Sequence, residues 1–341
     1  MIPINATGMP FDDVRGLFHV LPGPDEFAVA AVRARNRELT KPVGSLGDLE
    51  AVVEWLAAWQ GNPKPAVRRP LVVVFAGNHG VAAHGVSVWP QAVTRQMLDN
   101  FAAGGGAINQ ICASYDLGFK VFDLALDLPT GDITREAALD EKACVATMAF
   151  GMEAIAGGTD LLSIGEMGIG GTIAAAAVHA ALYGGPASRW VARGAWDAGA
   201  ADARIAAVEQ ALAFHAGHLD DPLEVLRRLG GREIAAAAGA ILAARLEHIP
   251  VLLDGYTVTA AAAILHAVDP ASIGHCMAGH LAAGEAHAAV LERLGKKPLL
   301  SLGLALGEGA GAALAAGIVK AAAACHGEMA TFTQTGIERQ G

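Results

Sequence analysis

The sequence predicts an α/β fold in which helices cover both faces of a parallel sheet, giving three layers. Short apolar runs rich in β-branched residues alternate along the chain with alanine-rich, helix-forming stretches, the pattern of consecutive strand–helix units. Several of the apolar runs also stop at glycines, as strands of open α/β sheets do where a turn opens the next helix.

The strands are predicted from continuous apolar runs, which are typical of parallel strands that are buried on both faces. In chain order they are expected over residues 71–76, 119–125, 160–164, 250–253 and 299–304. No repeat of fixed period is evident among them, so a repeat architecture is not expected.

The helices are predicted from alanine-rich stretches and from capping residues. Residues 1–60 form helical pieces, including a helix from Glu26 to about Glu38 and one that Ser45 or Asp48 caps and that continues through Trp59. The Pro-rich stretch at residues 61–70 is a linker and a candidate domain boundary. Later helices are expected over residues 92–101, 104–114, 136–156, 172–183, 200–217, 231–247 and 259–267, and after the last strand to residue 324.

The composition restricts the function classes. The chain has 341 residues, of which 53% are apolar and 17% are charged, enough for a large core and one or two domains. A net charge of −10 without a basic, aromatic-rich patch argues against nucleic acid as a partner. The four cysteines lack Cys-x-x-Cys spacing, which argues against disulfides or zinc and suits a reducing cytoplasm. No secretory signal and no membrane span are expected.

The stretch from residue 299 to 314 is the strongest candidate for chemistry. Its apolar run stops at Gly307 and Gly309, which flank a single carboxylate, Glu308. A carboxylate among apolar neighbours is desolvated, which raises its pKa and makes it a better base near neutrality. The alternative is that Glu308 only accepts backbone N–H groups at a helix N-terminus, where an acid is favourable.

Polar side chains follow four of the predicted strands: Asn78 and His79, Glu166, Asp254, and Glu308. Because the carboxyl ends of parallel strands share one edge of the sheet, we expect these side chains to converge there. A structural capping role explains any one of them but is a weaker explanation for all four together.

A glycine-rich loop, Gly-Glu-Met-Gly-Ile-Gly-Gly-Thr at residues 165–172, leads into an alanine-rich helix and could bind a phosphate through backbone N–H groups. The loop is neither a Walker A motif nor a GxGxxG fingerprint, which disfavours a nucleotide-dependent dehydrogenase. The histidines at positions 275, 280 and 287 lack the spacing of metal ligands on one helix face, so no metal site is expected.

Taken together, the motifs resemble one family, the nicotinate-nucleotide–dimethylbenzimidazole phosphoribosyltransferases of cobalamin biosynthesis. The matching segments follow the family's order and cover nearly the whole chain. They are Lys-Pro-Val-Gly-Ser-Leu-Gly-Asp-Leu-Glu at 41–50, Gly-Asn-His-Gly-Val at 77–81, Gly-Val-Ser-Val-Trp-Pro-Gln-Ala-Val-Thr at 85–94, Gly-Glu-Met-Gly-Ile-Gly at 165–170, Asp-Pro-Leu-Glu-Val at 221–225, Asp-Gly-Tyr at 254–256, Leu-Gly-Glu-Gly-Ala-Gly-Ala-Ala at 306–313 and Met-Ala-Thr-Phe at 329–332.

The resemblance implies a three-layer, Rossmann-like parallel sheet with a smaller helical domain built from the chain ends. The small domain would comprise residues 1–60 and 315–341, and the large α/β catalytic domain residues 61–314. It further implies a cytoplasmic homodimer that needs no cofactor and binds only small molecules. The implied reaction transfers phosphoribose from nicotinate mononucleotide to 5,6-dimethylbenzimidazole, giving α-ribazole 5′-phosphate and nicotinate.

The resemblance also implies roles for individual residues. Glu308 matches the family's catalytic base, and Glu166 matches a glutamate at the nucleotide ribose. The other expected nucleotide-binding residues are Gly168, Gly170, Gly171, Thr172, Arg204, Asp254 and Gly255. The loop at 85–91 is expected to line the base pocket, and the expected base-binding residues are His79, Ser87, Gln91 and Leu306.

Three loops on the phosphate side depart from the family pattern. Gly171 stands where the family has Asn, and Arg-Gly-Ala-Trp-Asp at 193–197 replaces a Gly-Thr-Gly loop, with Arg204 in place of a lysine. The segment 280–287 lacks the family's Ser and has its Glu displaced. These departures leave open an alternative: a diverged member that binds a benzimidazole or purine-like base without efficient turnover.

Overall fold

Six parallel strands form one sheet in the computed structural model, which describes residues 10–191 and 200–338. The spatial order of the strands is β2-β1-β3-β4-β5-β6. Their bounds are β1 (Pro70–Ala76), β2 (Gly118–Asp123), β3 (Leu161–Met167), β4 (Val251–Leu253), β5 (Cys276–His280) and β6 (Pro298–Leu300). The chain passes outward from β1 to β2 and then returns to β3 on the other side of β1. Ligands of open α/β sheets bind outside the carboxyl ends of the strands at such a reversal.

Fifteen α-helices accompany the strands in the described residues. They are α1 (Pro10–Phe18), α2 (Glu26–Glu38), α3 (Asp48–Gln60), α4 (Ala92–Ala102), α5 (Ala107–Tyr115), α6 (Glu141–Met152), α7 (Gly171–Tyr183), α8 (Ala187–Trp190), α9 (Ala201–Phe214), α10 (Pro222–Leu229), α11 (Arg232–Leu246), α12 (Tyr256–Val268), α13 (Glu285–Arg293), α14 (Ala310–Glu328) and α15 (Phe332–Thr335). Short 3-10 helices span Gly80–His84, Glu153–Ile155 and Pro270–Ile273.

The core lies on both faces of the sheet, because successive side chains of a strand point to opposite faces. In β1, Val73 and Phe75 pack into the layer that contains α6, α7, α11 and α12. Val72 and Val74 pack into the opposite layer, which contains α3, α5 and α14. The predicted three-layer α/β fold is therefore confirmed.

Four of the five predicted strands lie where the apolar runs place them, with small differences at their ends. The last one is shorter than predicted: β6 ends at Leu300, and Gly303 then adopts a left-handed backbone with φ +69°. Strand β5, which lies between β4 and the edge strand β6, was not predicted, because its sequence Cys-Met-Ala-Gly-His contains no β-branched residue.

The helix predictions need three corrections. The helix expected over 136–156 begins at Glu141, because the Asp140 side chain caps it by accepting the Ala143 N–H at 2.6 Å. Gly47 is the N-cap of α3, so neither Ser45 nor Asp48 caps it. Helices α10 and α13 and the short helices α8 and α15 were not predicted.

Helix α14 is continuous across residue 315, where the small helical domain was expected to begin. It packs with α2 and α3, whereas α1 packs against α6 on the opposite face of the sheet. The division into a small and a large domain stays a prediction. By length and composition alone α14 could cross a membrane, but 61% of its apolar window is buried inside the fold, as in a core helix.

Candidate active site

The polar residues at the carboxyl edge of the sheet come from neighbouring strands. Glu166 lies near the end of β3, and Asp254 directly follows β4. His280 is the last residue of β5, and Glu308 lies just before α14. Of these four residues, Glu166 is partly buried and the other three are buried. The edge therefore holds several ionisable groups that are shielded from water.

Glu308 occupies a strained turn. Gly307, Glu308 and Gly309 have φ of +76°, +63° and +80°, so three consecutive residues adopt the left-handed conformation. Glycine adopts this region freely, but a residue with a side chain is held there at a cost of about 1–3 kcal/mol. Non-glycine residues in this region cluster at functional sites, so the strain marks Glu308 as a functional candidate.

The turn is held against β3. The Glu308 N–H donates to the Glu166 carbonyl oxygen at 3.2 Å. A Cβ added at Gly165 would lie 2.4 Å from Gly309 Cα, so only glycine in β3 lets the turn approach this closely. The backbone that carries the Glu308 side chain is therefore held in place by the sheet.

Glu308 is not the capping group of α14. Gly309 is the N-cap residue, and the Asp254 carboxylate accepts the N–H groups of Gly309 at 3.2 Å and Ala312 at 3.0 Å. These are N–H groups that a helix leaves without intrahelical partners at its N-terminus. Because Asp254 accepts these N–H groups, the alternative that Glu308 serves only as a helix cap is not supported.

The environment of Glu308 suits a base. Burial, followed by the nearby charge of Asp254, raises the pKa of Glu308 to about 7. A general base works best when its pKa lies near the working pH, because it is then ionised in part and still binds a proton strongly.

A second acidic cluster surrounds Gly171 at the start of α7. An added Cβ at Gly171 would lie 3.4 Å from Glu166 Oε2, 3.5 Å from Glu233 Oε1 and 3.5 Å from His79 Nε2. His79 Nε2 is 2.9 Å from Glu233 Oε1. Burial, followed by the carboxylates of Glu233 and Asp254, raises the pKa of Glu166 to about 8. Glu166 therefore carries a proton at neutral pH.

Two residues of the site were missed by the sequence analysis. Glu233 lies in the first turn of α11 and is fully buried. Its sequence signal was an acid shortly after Gly230 and Gly231 at the head of an alanine-rich helix, a pattern similar to that at Glu308. His280 was weighed as a metal ligand and as the first residue of the divergent segment 280–287, but it was not expected at the strand edge because β5 was not predicted.

Three of the four expected base-binding residues, His79, Ser87 and Gln91, lie in the segment that follows β1. Gln91 Nε2 donates to the carbonyl oxygen of His79, and the Trp89 N–H donates to Ser87 Oγ at 3.1 Å. Leu306 is 52% exposed and adjoins the strained turn. The loop at 85–91 also receives Arg204, whose Nε donates to the Val86 carbonyl oxygen at 2.8 Å. This contact ties Arg204, expected on the nucleotide side, to the loop on the base side.

The expected nucleotide-binding glycines surround the N-terminus of α7. Gly168 packs on β1, since an added Cβ would lie 2.0 Å from the Gly77 carbonyl oxygen. Gly170 is the N-cap of α7, and Gly171 and the exposed Thr172 form its first turn. The N-terminus of a helix favours anions through its free N–H groups and its dipole.

The remaining sequence-predicted positions are placed as follows. Gly255 is the N-cap of α12. The Asn78 side chain is structural, because it accepts the Thr94 hydroxyl at 2.7 Å and donates to the Leu126 carbonyl oxygen at 3.2 Å. The divergent segment 193–197 lies outside the described residues. Within residues 10–191 and 200–338, no three His, Cys, Asp or Glu side chains are grouped as metal ligands.

Comparison with known proteins points to one activity. A family model described as phosphoribosyltransferase matches residues 21–337. The nicotinate-nucleotide–dimethylbenzimidazole phosphoribosyltransferase of Rhizobium etli is 65% identical over 335 residues, which cover 98% of this chain and 99% of that protein. The protein of the same name from Sinorhizobium fredii is 64% identical over 338 residues, covering 99% of this chain and 100% of that protein.

A solved structure agrees with these sequence matches. The crystal structure of the nicotinate-nucleotide–dimethylbenzimidazole phosphoribosyltransferase from Thermus thermophilus matches with a TM-score of 0.85 at 41% identity, covering 93% of this chain and 100% of that one. These relatives are described as enzymes, and the comparisons give no support to the alternative of a diverged member without efficient turnover.

Proposed function

Because the chain belongs to the phosphoribosyltransferase family whose model spans residues 21–337, we propose that it transfers phosphoribose from nicotinate mononucleotide to 5,6-dimethylbenzimidazole. The products are α-ribazole 5′-phosphate and nicotinate, and the reaction belongs to lower-ligand synthesis in cobalamin biosynthesis. The observation that carries the proposed chemistry is the buried Glu308 carboxylate, held in a left-handed turn whose helix is capped by another residue.

One buried carboxylate is sufficient for this reaction. The unprotonated ring nitrogen of the benzimidazole attacks C1′ of the ribose, and the bond from C1′ to the nicotinate ring nitrogen breaks. The electron pair of that bond returns to the ring, which was a cationic pyridinium, so the leaving group needs no proton. The acceptor must lose its N–H proton, and Glu308 takes it as general base. Direct in-line displacement converts the β-linked donor into the α-linked product.

The charges of the site suit the transition state. As the bond to nicotinate breaks, positive charge develops at C1′ and at the ribose ring oxygen. Ionised carboxylates fixed at this edge stabilise such charge without reorganisation during the reaction. Asp254 remains ionised at neutral pH, because contacts with His280 and backbone N–H groups hold its pKa below the usual value although burial alone would raise it.

In this proposal the nucleotide and the base bind beside each other, because His79 contacts both the N-terminus of α7 and, through Gln91, the loop at 85–91. The N-terminus of α7, with Gly170, Gly171 and Thr172, is the anion site that suits the donor phosphate. A protonated Glu166 beside it can donate a hydrogen bond to a ribose hydroxyl oxygen. The exposed apolar side chain of Leu306 and the loop at 85–91 suit a flat, mostly apolar base.

The base assignment is tested by Glu308→Gln, which keeps the shape of the side chain and removes its proton acceptor. We expect kcat to fall by about 10²- to 10⁴-fold, the usual contribution of a general base. In the wild type, kcat/KM should rise with pH through an apparent pKa near 7, because only ionised Glu308 accepts the proton. This limb should be missing in the variant.

Glu328→Gln is the matched control, because Glu328 is an exposed acid at the other end of α14. Its activity and pH profile should equal those of the wild type. If Glu308→Gln keeps most of the wild-type kcat, Glu308 is not the base.

The assembly and the location remain expectations of the same proposal. We expect a homodimer that works in the cytoplasm and takes only small-molecule substrates, without a nucleic-acid partner or a membrane anchor. Nicotinate mononucleotide and a benzimidazole are the substrates implied by the names of the relatives.

A further inference from the structure

The side chain of Asp254 is committed to the fold, although the sequence analysis places it among the nucleotide ligands. Its Oδ2 accepts the Gly309 N–H at 3.2 Å, and its Oδ1 accepts the Ala312 N–H at 3.0 Å. The carboxylate is nearly inaccessible to solvent, with 2% of the residue exposed. Both oxygens therefore hold the residues that directly follow Glu308.

His280 holds Asp254 from the neighbouring strand. Its Nε2 lies 3.2 Å from Asp254 Oδ1, and the residue is 2% exposed. A Cβ added at Gly311 would lie 1.9 Å from His280 Cδ2, so the imidazole packs directly against the first turn of α14. The His280 ring therefore has little freedom to rotate, and it restricts the movement of the Asp254 carboxylate that it contacts.

These contacts reach the strained turn from β4 and β5, beside the contact that β3 makes with it. The Glu166 carbonyl oxygen accepts the Glu308 N–H, and Asp254 accepts the N–H of the next residue, Gly309. Without the second contact, the turn loses the side-chain acceptor that holds the residue directly after Glu308. We propose that Asp254 and His280 form a positioning pair that aims the catalytic carboxylate of Glu308. This inference rests on the proposed function, in which Glu308 is the base.

The pair also acts on Glu308 through charge. Burial raises the pKa of Glu308, and the negative charge of the ionised Asp254 carboxylate raises it further. The titratable groups that face this turn are Asp254 after β4, Glu166 in β3 and His280 in β5, and Glu233 and His79 lie behind Glu166. Removing the Asp254 charge eases the ionisation of Glu308, so the group ionises at lower pH.

The test compares Asp254→Asn with the wild type in kcat, KM and pH dependence. We expect kcat at neutral pH to fall by about 10- to 100-fold, because a carboxylate misplaced by about 1 Å loses activity of this order. The KM for nicotinate mononucleotide should stay near the wild-type value. The acidic limb of kcat/KM should move to lower pH. If Asp254 were a nucleotide ligand, the variant would instead raise the KM for nicotinate mononucleotide.

Variants of His280 keep the proposal testable if Asp254→Asn does not fold. His280→Ala should lower kcat with little change in KM, because Asp254 loses the group that holds it. His280→Gln should restore most of the activity, since its amide nitrogen reaches the position of Nε2 and can donate to Asp254. Equal losses in the two variants would contradict the positioning role.

Asp269→Asn is the matched control for the loss of a capping charge. Asp269 accepts the Ala271 N–H at 2.9 Å before the 3-10 helix Pro270–Ile273, which precedes β5 at the opposite edge of the sheet. Its pH profile should equal that of the wild type.

The results separate the two proposals. If Glu308→Gln is as active as the wild type, the proposed base is wrong whatever Asp254→Asn does. If Glu308→Gln is inactive while Asp254→Asn keeps the wild-type kcat and acidic limb, only the positioning pair is wrong.

Discussion

Asp254 and Glu308 are neighbouring carboxylates of this site, but their surroundings shift their pKa values in opposite directions. Asp254 accepts backbone N–H groups and stays ionised, whereas Glu308 is buried without such stabilisation and its pKa is raised to about 7. An acidic side chain at a sheet edge therefore caps a helix in one case and binds protons in the other. The difference lies in what each carboxylate accepts rather than in its depth of burial.

Glu166 gives a prediction on stability against pH. Its pKa in the folded protein, about 8, lies above the ordinary value of 4.5, so its contribution to stability is full below about pH 4.5 and is lost as the pH rises through 8. Glu166→Gln removes this loss of stability at high pH, because glutamine does not ionise. At pH 9 the variant should have a free energy of unfolding higher than the wild type by an amount on the order of a few kcal/mol.

Urea denaturation at pH 5 and pH 9 measures the effect. The difference between Glu166→Gln and wild type should be larger at pH 9 by the amount that ionisation of the buried carboxyl costs. The exposed Glu328→Gln should show no such dependence. A difference that is equal at both pH values would show that Glu166 does not titrate in this range.

Residue identity was easier to predict than residue role. Glu308, Glu166, Asp254 and His79 were singled out because each follows a predicted strand, and the structure places them at one edge. That Asp254 caps α14 was not predictable, since the contact joins residues 55 positions apart, Asp254 and Gly309. Glu233 was missed because no apolar strand precedes it.

At the scale of elements, α6 and α11 cross with their backbones in close contact. A Cβ added at Gly239 would lie 1.9 Å from the Met148 carbonyl oxygen, and one at Gly151 would lie 2.0 Å from the Ala236 carbonyl oxygen. Each helix therefore presents a glycine to the backbone of the other. This contact brings α11 close to the sheet, with Glu233 at its first turn beside the site.

Gly239→Ala should destabilise the protein, although alanine is the better helix former. The helices must separate to admit the methyl group, and such overpacking costs about 1–3 kcal/mol. Gly16→Ala is the control, because Gly16 lies in α1 with no atom within 4 Å of the added Cβ. It should stabilise by about 0.5–1 kcal/mol. Chemical denaturation measures both, and a stabilising Gly239→Ala would contradict the close crossing.

The elements that could be predicted are those whose stability is local. β1 is a run of valines and a phenylalanine, and its hydrophobicity marks it as a buried strand without further context. β5 is a strand because its neighbours β4 and β6 supply hydrogen-bond partners on both sides, which no local pattern reveals. Helix α13 was missed because its sequence mixes charged residues with only a few apolar ones, so its buried apolar face is not evident from the sequence.

At the scale of the whole molecule, the sheet gathers groups from distant parts of the chain. The site combines the ends of β1, β3, β4 and β5 with the start of α14, and the order of strands brings β1 beside β3. The chain ends also meet, since Leu39 and Thr331 form an antiparallel bridge and Arg35 donates to the His326 carbonyl oxygen at 2.8 Å.

We expect the native assembly to be a homodimer, as the family resemblance implies. Analytical ultracentrifugation of the full chain at micromolar concentration should give a single species of twice the chain mass. The activity per chain should fall on dilution only where the dimer dissociates. A monomer with full activity at every concentration would contradict this expectation.

The left-handed backbone of Glu308 makes its proposed role as a base depend on the folded structure. A free peptide with the sequence of residues 299–314 contains the same acid and the same glycines, yet nothing in it enforces the unfavourable torsion. In the proposed mechanism, competence for proton transfer is thus a tertiary property, created when distant strands close on the turn and lost when they part.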